Sequence, residues 1–129
     1  ARDAGKIVIQ DRGVSASIAY QAVRDGVSLE EVLALPGNDL ALRHSPDVLV
    51  LATLSVDTAL QRLAARAGKH DDSRYEHRAD LEALAERYAA AWFRDIFAAR
   101  GTRIVELSTE PDIAAVRAAA VDLMQTLIQ

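Results

Sequence analysis

The chain has 129 residues, half of them hydrophobic, enough to bury one modest core, so a single domain spanning 1–129 is expected. A formal charge of −4 provides no basic footprint for nucleic acid, and the absence of cysteine excludes disulfides and thiolate metal sites, as suits a reducing cytoplasm. No apolar stretch approaches the roughly 18 residues of a spanning helix, and Ala1-Arg2-Asp3 opens no signal peptide, so a cytoplasmic protein without nucleic-acid or membrane partners is expected.

The first element is the apolar run Lys6-Ile7-Val8-Ile9-Gln10, which has the pattern of a strand buried on both faces. Ligands of open α/β sheets bind outside the carboxyl ends of such strands, where Asp11 and Arg12 follow. Arginine offers a planar fork of donors that matches phosphate, and a neighbouring aspartate can hold a magnesium ion or its water shell. The plainer alternative is an Asp-Arg pair that ends a strand and caps the next helix.

A helix is expected from about Ser15 to Arg24, broken at Gly26. Ser28 with Glu31 three residues on forms a capping box for a short helix that stops before Pro36-Gly37. A helical stretch from about Asn38 to Arg43 precedes Pro46, which imposes an extended entry to the strand Val48 to Leu54. Val56 to about Ala65 is helical again, and the polar, glycine-containing segment Gly68 to Ser73 is a loop. Leu81, Leu84, Ala85, Tyr88, Trp92 and Ile96 recur at helical spacing, predicting one long helix from about Asp80 to Arg100 with Gly101 as its stop. Thr102 to Leu107 is the last strand, and Thr109-Glu110-Pro111-Asp112 opens a terminal helix lined by Ile113, Val116, Met124 and Leu127. Alternating strands and helices make this an α/β chain with a parallel sheet and helices on both faces. His44, His70 and His77 have no spacing that suits a metal pair, and the scattered carboxylates read as helix faces.

The segment from Asp11 to Gln21 resembles thymidylate kinases, P-loop nucleoside monophosphate kinases. Their pattern here is Asp-Arg-Tyr/His, two variable residues, Ser, Ser/Thr, two residues ending in Ala, then Tyr-Gln. Asp11, Arg12, Ser17, Ala19, Tyr20 and Gln21 match it. Pro46-Asp47 before a strand, Ala59-Leu60-Gln61-Arg62-Leu63 on the following helix, and a charged loop from Arg66-Ala67-Gly68-Lys69 to Arg74-Tyr75-Glu76 match in order. The resemblance covers nearly the whole chain and implies a P-loop NTPase-like fold, with three of the family's five strands present.

No segment reads Gly-x-x-x-x-Gly-Lys-Ser/Thr, the backbone cradle and lysine that hold a nucleoside triphosphate. The family carries that loop upstream of the position matching Ala1, so the chain resembles an acceptor-binding and lid-bearing C-terminal portion. The family also sets the strand leading into that loop between those corresponding to Lys6–Gln10 and Val48–Leu54. Its absence would leave two unpaired inner edges, so an accompanying N-terminal segment is expected rather than a rearranged sheet.

By the same resemblance, ATP is the phosphoryl donor, magnesium the cofactor, dTMP the acceptor and a homodimer the assembly. Arg12 would clamp the acceptor phosphate, and Asp11 would help place the magnesium shell. Ser17 and Gln21 resemble the contacts to the thymine edge, and Tyr20 the aromatic beneath the sugar. Without the motif, Tyr20 would be taken as a core residue. Arg66, Lys69 and Arg74 belong to the lid-like stretch, where cations stabilise transition-state charge; a solvated charge run is the alternative, since Asp71, Asp72 and Glu76 interleave with them. Arg62 could instead brace the lid helix through an ion pair.

The chain departs from the family at several positions. Gly13 replaces the aromatic or histidine after Asp-Arg, Ala16 replaces serine, and Ala52-Thr53-Leu54-Ser55-Val56 stands for Leu-Asp-Val-Asp-Pro. The lid reads Asp72-Ser73-Arg74-Tyr75-Glu76 where Asp-Arg-Phe-Glu is common. Two functions follow: a dTMP kinase once the P-loop segment is supplied, or a catalytically inactive relative that binds a nucleotide or a protein partner.

Overall fold

The computed structural model describes residues 5–21, 27–66 and 77–128. The chain divides into two compact units, Ala1–Ser45 and Pro46–Gln129.

In the first unit, residues 6–10 form no strand among the described residues, which corrects the expected first strand. Ile7, Val8 and Ile9 are 62%, 59% and 77% exposed. A strand exists only against a partner that takes its backbone groups, and hydrophobic patterning alone cannot supply one.

Helix α1, Val14–Gln21, begins one residue before the expected Ser15, and residues 22–24 of the predicted range, like Gly26, fall outside the described ones. Helix α2, Leu29–Ala34, opens with the predicted capping box: Ser28 Oγ accepts from Glu31 N at 3.2 Å, and Glu31 Oε2 accepts from Ser28 N at 2.7 Å. Helix α3, Pro36–Arg43, begins two residues before the expected Asn38. Proline holds Leu35 extended at ψ 128° while occupying the first helical turn itself, so one residue ends α2 and opens α3. The three helices pack together, burying Ile18, Ala19, Val32 and Leu42.

The second unit is built on strand β1, Val48–Thr53, paired in parallel with strand β2, Arg103–Ser108. The register sets Val48 against Arg103 and Thr53 against Ser108. Two bonds extend the pairing: Arg103 N donates to Asp47 O at 3.0 Å, and Thr109 N to Thr53 O at 2.8 Å. The α/β parallel architecture with surrounding helices is as expected, but two strands form among the described residues, not three.

Helix α4, Val56–Ala64, is capped by Ser55, whose Oγ accepts from Thr58 N at 3.2 Å. The predicted loop 68–73 lies outside the described residues. The predicted long helix is two: α5, Arg78–Ala89, and α6, Ala91–Ala98, separated by Ala90 at φ −64°, ψ 141°. Three consecutive alanines favour helix, so packing imposes the break. Residues five apart on one helix point about 140° away from each other. The break instead lets Tyr88 and Phe93 meet edge to face, 5.0 Å between centroids, while Phe93 and Phe97 become fully buried.

Gly101, at φ 77°, stops α6 as predicted: its N–H donates to Ala98 O at 2.9 Å and that of Thr102 to Phe97 O at 3.1 Å. Helix α7, Ile113–Ile128, starts where the Asp112 carboxylate accepts from Ala114 N and Ala115 N at 2.9 and 3.0 Å. Val116, Met124 and Leu127 are half-buried as its inner face, whereas Ile113 is 87% exposed. No described helix is long and apolar enough to cross a membrane.

Candidate functional site

The Asp11-Arg12-Gly13 segment turns the chain into α1. Arg12 lies in the left-handed region at φ 55°, a conformation that costs a residue with a side chain about 1–2 kcal/mol. Such backbone persists where its surroundings impose it, and it collects at ligand sites. Here it brings the Arg12 guanidinium over the Tyr20 ring, 5.9 Å from the centroid. Arg12 and Asp11 are both exposed, and Tyr20 is half-buried. Gly13 accepts the first bond of the helix, from Ser17 N at 3.2 Å, and a Cβ built there would stand 3.4 Å from the flexible Gln10 amide. A Cβ at this position therefore makes only ordinary van der Waals contact with Gln10.

One turn along α1, Ser17 Oγ donates to Gln21 Oε1 at 3.0 Å, so the two residues matched to a base edge meet at i and i+4. The same oxygen accepts from Asn38 Nδ2 on α3 at 3.4 Å. Asn38 was not among the residues singled out from the sequence. The only signal was a weak helix former inside a predicted helix, which does not reveal a partner 17 positions away.

In the second unit, Arg62 donates to the carbonyls of Thr109, Glu110 and Pro111 at 2.8, 3.1 and 3.1 Å. It ties α4 to the β2–α7 connection through backbone oxygens, whereas the expected ion pair bracing the lid helix is not seen among the described residues. Glu110 reaches the other way, accepting from Ser55 N and from Thr58 Oγ1, the latter at 2.8 Å. The Ser55 backbone N–H chiefly holds the Glu110 carboxyl below the usual range, helped by the Thr58 and Ser55 hydroxyls and the charge of Arg62.

Thr53 and Ser55, which stand where the resemblance has acids, are engaged locally. Thr53 O accepts from Thr109 Oγ1 at 2.9 Å, and Ser55 caps α4. Arg66 is exposed just past α4, its N–H donating to Leu63 O at 3.1 Å, and Lys69 and Arg74 lie outside the described residues. Among the described residues no group of three or more His, Asp or Glu could hold a metal ion. Asp11 is a single exposed carboxylate, which suits an outer contact to magnesium carried on nucleotide phosphates and not a protein cage.

The family profile described as thymidylate kinase matches residues 1–120. A thymidylate kinase of Halalkalibacterium halodurans is 30% identical over 127 residues, covering 97% of this chain and 57% of its own length. Thymidylate kinases of Bacillus velezensis and Gluconobacter oxydans are 36% and 39% identical over 62% and 71% of this chain, and 35% and 42% of theirs. The chain thus spans about half, or less, of the length of the curated relatives it matches. No solved structure matches it.

Proposed function

The chain belongs to the thymidylate kinase family, and on that premise we propose that it supplies the acceptor side of phosphoryl transfer from ATP to dTMP, giving dTDP for dTTP synthesis in the cytoplasm. The observation that carries this is the placement of an exposed, backbone-constrained Arg12 guanidinium over the Tyr20 ring of α1, the helix on which Ser17 also holds the Gln21 amide. A fixed cation, an aromatic face and an oriented amide are what a phosphate, a sugar and a base edge ask for in sequence.

Catalysis of this reaction is mostly positioning and charge neutralisation. Arg12 holds the acceptor phosphate, Ser17 and Gln21 bind the base, and Tyr20 packs beneath the sugar. Magnesium, when bound with the nucleotide phosphates, neutralises charge, and Asp11 contacts its water shell. Arg66, Lys69 and Arg74 bring further positive charge toward the transferring group. No residue of this chain forms a Walker A cradle, so ATP would be held by an N-terminal segment not contained in it. A homodimer belongs to the same proposal, on family resemblance alone.

A native mass spectrum with dTMP and magnesium tests it: an adduct of one nucleotide per chain, lost in Arg12→Ala, is the expected result. No adduct in the wild type would overturn it. A second function, binding without turnover, is favoured by Thr53 and Ser55, which stand where the family has acids: the Ser55 hydroxyl caps α4, and the Thr53 hydroxyl donates to Leu107 O at 3.5 Å.

A further inference from the structure

Asn38 is a polar residue only 8% exposed, on α3, and its hydrogen bonds have a direction that can be worked out. It reaches the main-chain oxygen of Val32 at 2.7 Å. A carbonyl only accepts, so the atom facing it must be the Asn38 NH2. The same nitrogen lies 3.4 Å from the Gln21 amide, and a group facing a donor must be an acceptor, so that end of Gln21 is Oε1. Ser17 Oγ donates to Oε1 as well, at 3.0 Å. Both lone pairs of the oxygen are then occupied, and the Gln21 NH2, which no described residue accepts, is the end presented outward. Ser17 could not set this orientation alone, because a hydroxyl turns from donor to acceptor when the amide flips. Asn38 cannot turn, since Val32 O holds its own amide in place.

We infer that Asn38 is a positioning residue: it holds the Gln21 amide in one of its two flips, so that the site takes a nucleoside monophosphate whose pyrimidine has a carbonyl at position 4 and rejects one with an amine there. The inference rests on the proposed contact between Gln21 and the base. A carbonyl accepts from the outward NH2, whereas an amine sets donor against donor and leaves both without partners. Oxygen 2 is common to both pyrimidines and does not discriminate between them.

The test is calorimetric titration of the chain with dTMP and dCMP. Wild type is expected to prefer dTMP, and Asn38→Ala to narrow the dTMP-to-dCMP ratio about tenfold, with dCMP binding improved in absolute terms. A purely structural loss would weaken both ligands alike and would overturn the inference. Gln21→Glu, which offers only acceptors outward, is expected to turn the preference toward dCMP. If Gln21→Glu shifts the ratio and Asn38→Ala does not, Asn38 does not position the amide, while the acceptor-site proposal stands. If the wild type binds neither nucleotide, both fail. Should Asn38→Ala not fold, the wild-type side-chain amide NMR signals decide: dTMP should shift the Gln21 NH2 pair far more than the Asn38 pair, and an unmoved Gln21 pair overturns the inference.

Discussion

The Arg12 guanidinium stands 5.9 Å from the centre of the Tyr20 ring, carried there by a left-handed backbone at φ 55°. Glycine adopts that backbone without steric cost, so Arg12→Gly should keep thermal stability within about 1 kcal/mol of wild type. It should nonetheless weaken dTMP binding by ten- to a hundredfold, the worth of a charge-assisted contact. Arg12→Lys should fail to restore binding, because an ammonium lacks the planar fork. Thermal unfolding alongside calorimetry checks both halves, and full binding by Arg12→Gly would remove Arg12 from the site.

The capping box at α2 ties stability to pH. The Glu31 carboxyl is held below its ordinary value, chiefly by the Ser28 backbone N–H and then by the Ser28 hydroxyl. A lowered folded-state pKa means that this contribution is complete above the ordinary glutamate range and is lost as pH falls through the folded value. Ser28→Ala should cost about 1 kcal/mol at neutral pH. Glu31→Gln should flatten the acid limb of a urea-denaturation series between about pH 5 and 3; an unchanged limb would mean that Glu31 is not coupled to folding.

Glu110 should behave with the same sign, since its carboxyl is also held low, first by the Ser55 N–H. Arg62→Ala removes three bonds to the β2–α7 connection and should cost about 1 kcal/mol at this exposed position. Because Arg62 and Glu110 clamp the same connection from two sides, their double substitution should cost less than the sum of the two. Additivity within about 0.3 kcal/mol in denaturant titrations would show that they act separately.

Phe93 is fully buried and meets Tyr88, Trp92 and Phe97 at centroid distances of 5.0, 5.9 and 5.3 Å. Phe93→Ala should cost about 3–5 kcal/mol through the cavity it leaves. The break at Ala90 serves that aromatic cluster, so the variant should also lose protection of amides 88–93 in hydrogen exchange. Retained protection would separate the break from the packing.

Features that depend on neighbours along the chain were legible in the residues themselves. The Ser28–Glu31 box, the end of α2 before Pro36, the stop at Gly101 and the apolar pattern of β1 and β2 follow from caps, restricted dihedrals and periodicity acting within a few residues. The family was legible too, because the run from Asp11 to Gln21 states its chemistry in linear order. Contacts between distant segments settled the rest. Residues 6–10 have the composition of a buried strand but lack a ladder among the described residues, and a strand is a property of a pair. The helix expected to run through Ala90 broke because burying Phe93 beside Tyr88 outweighs the helical preference of three alanines. Arg62 found carbonyls in place of a carboxylate, and Asn38 oriented Gln21, because folding brought together groups that their spacing in the chain does not relate. Local stereochemistry and motif order were thus determined by the sequence alone, whereas strand pairing, the broken helix and the polarity of the Gln21 amide were decided by tertiary packing, in which a partner far along the chain supplies or withholds the compensating contact.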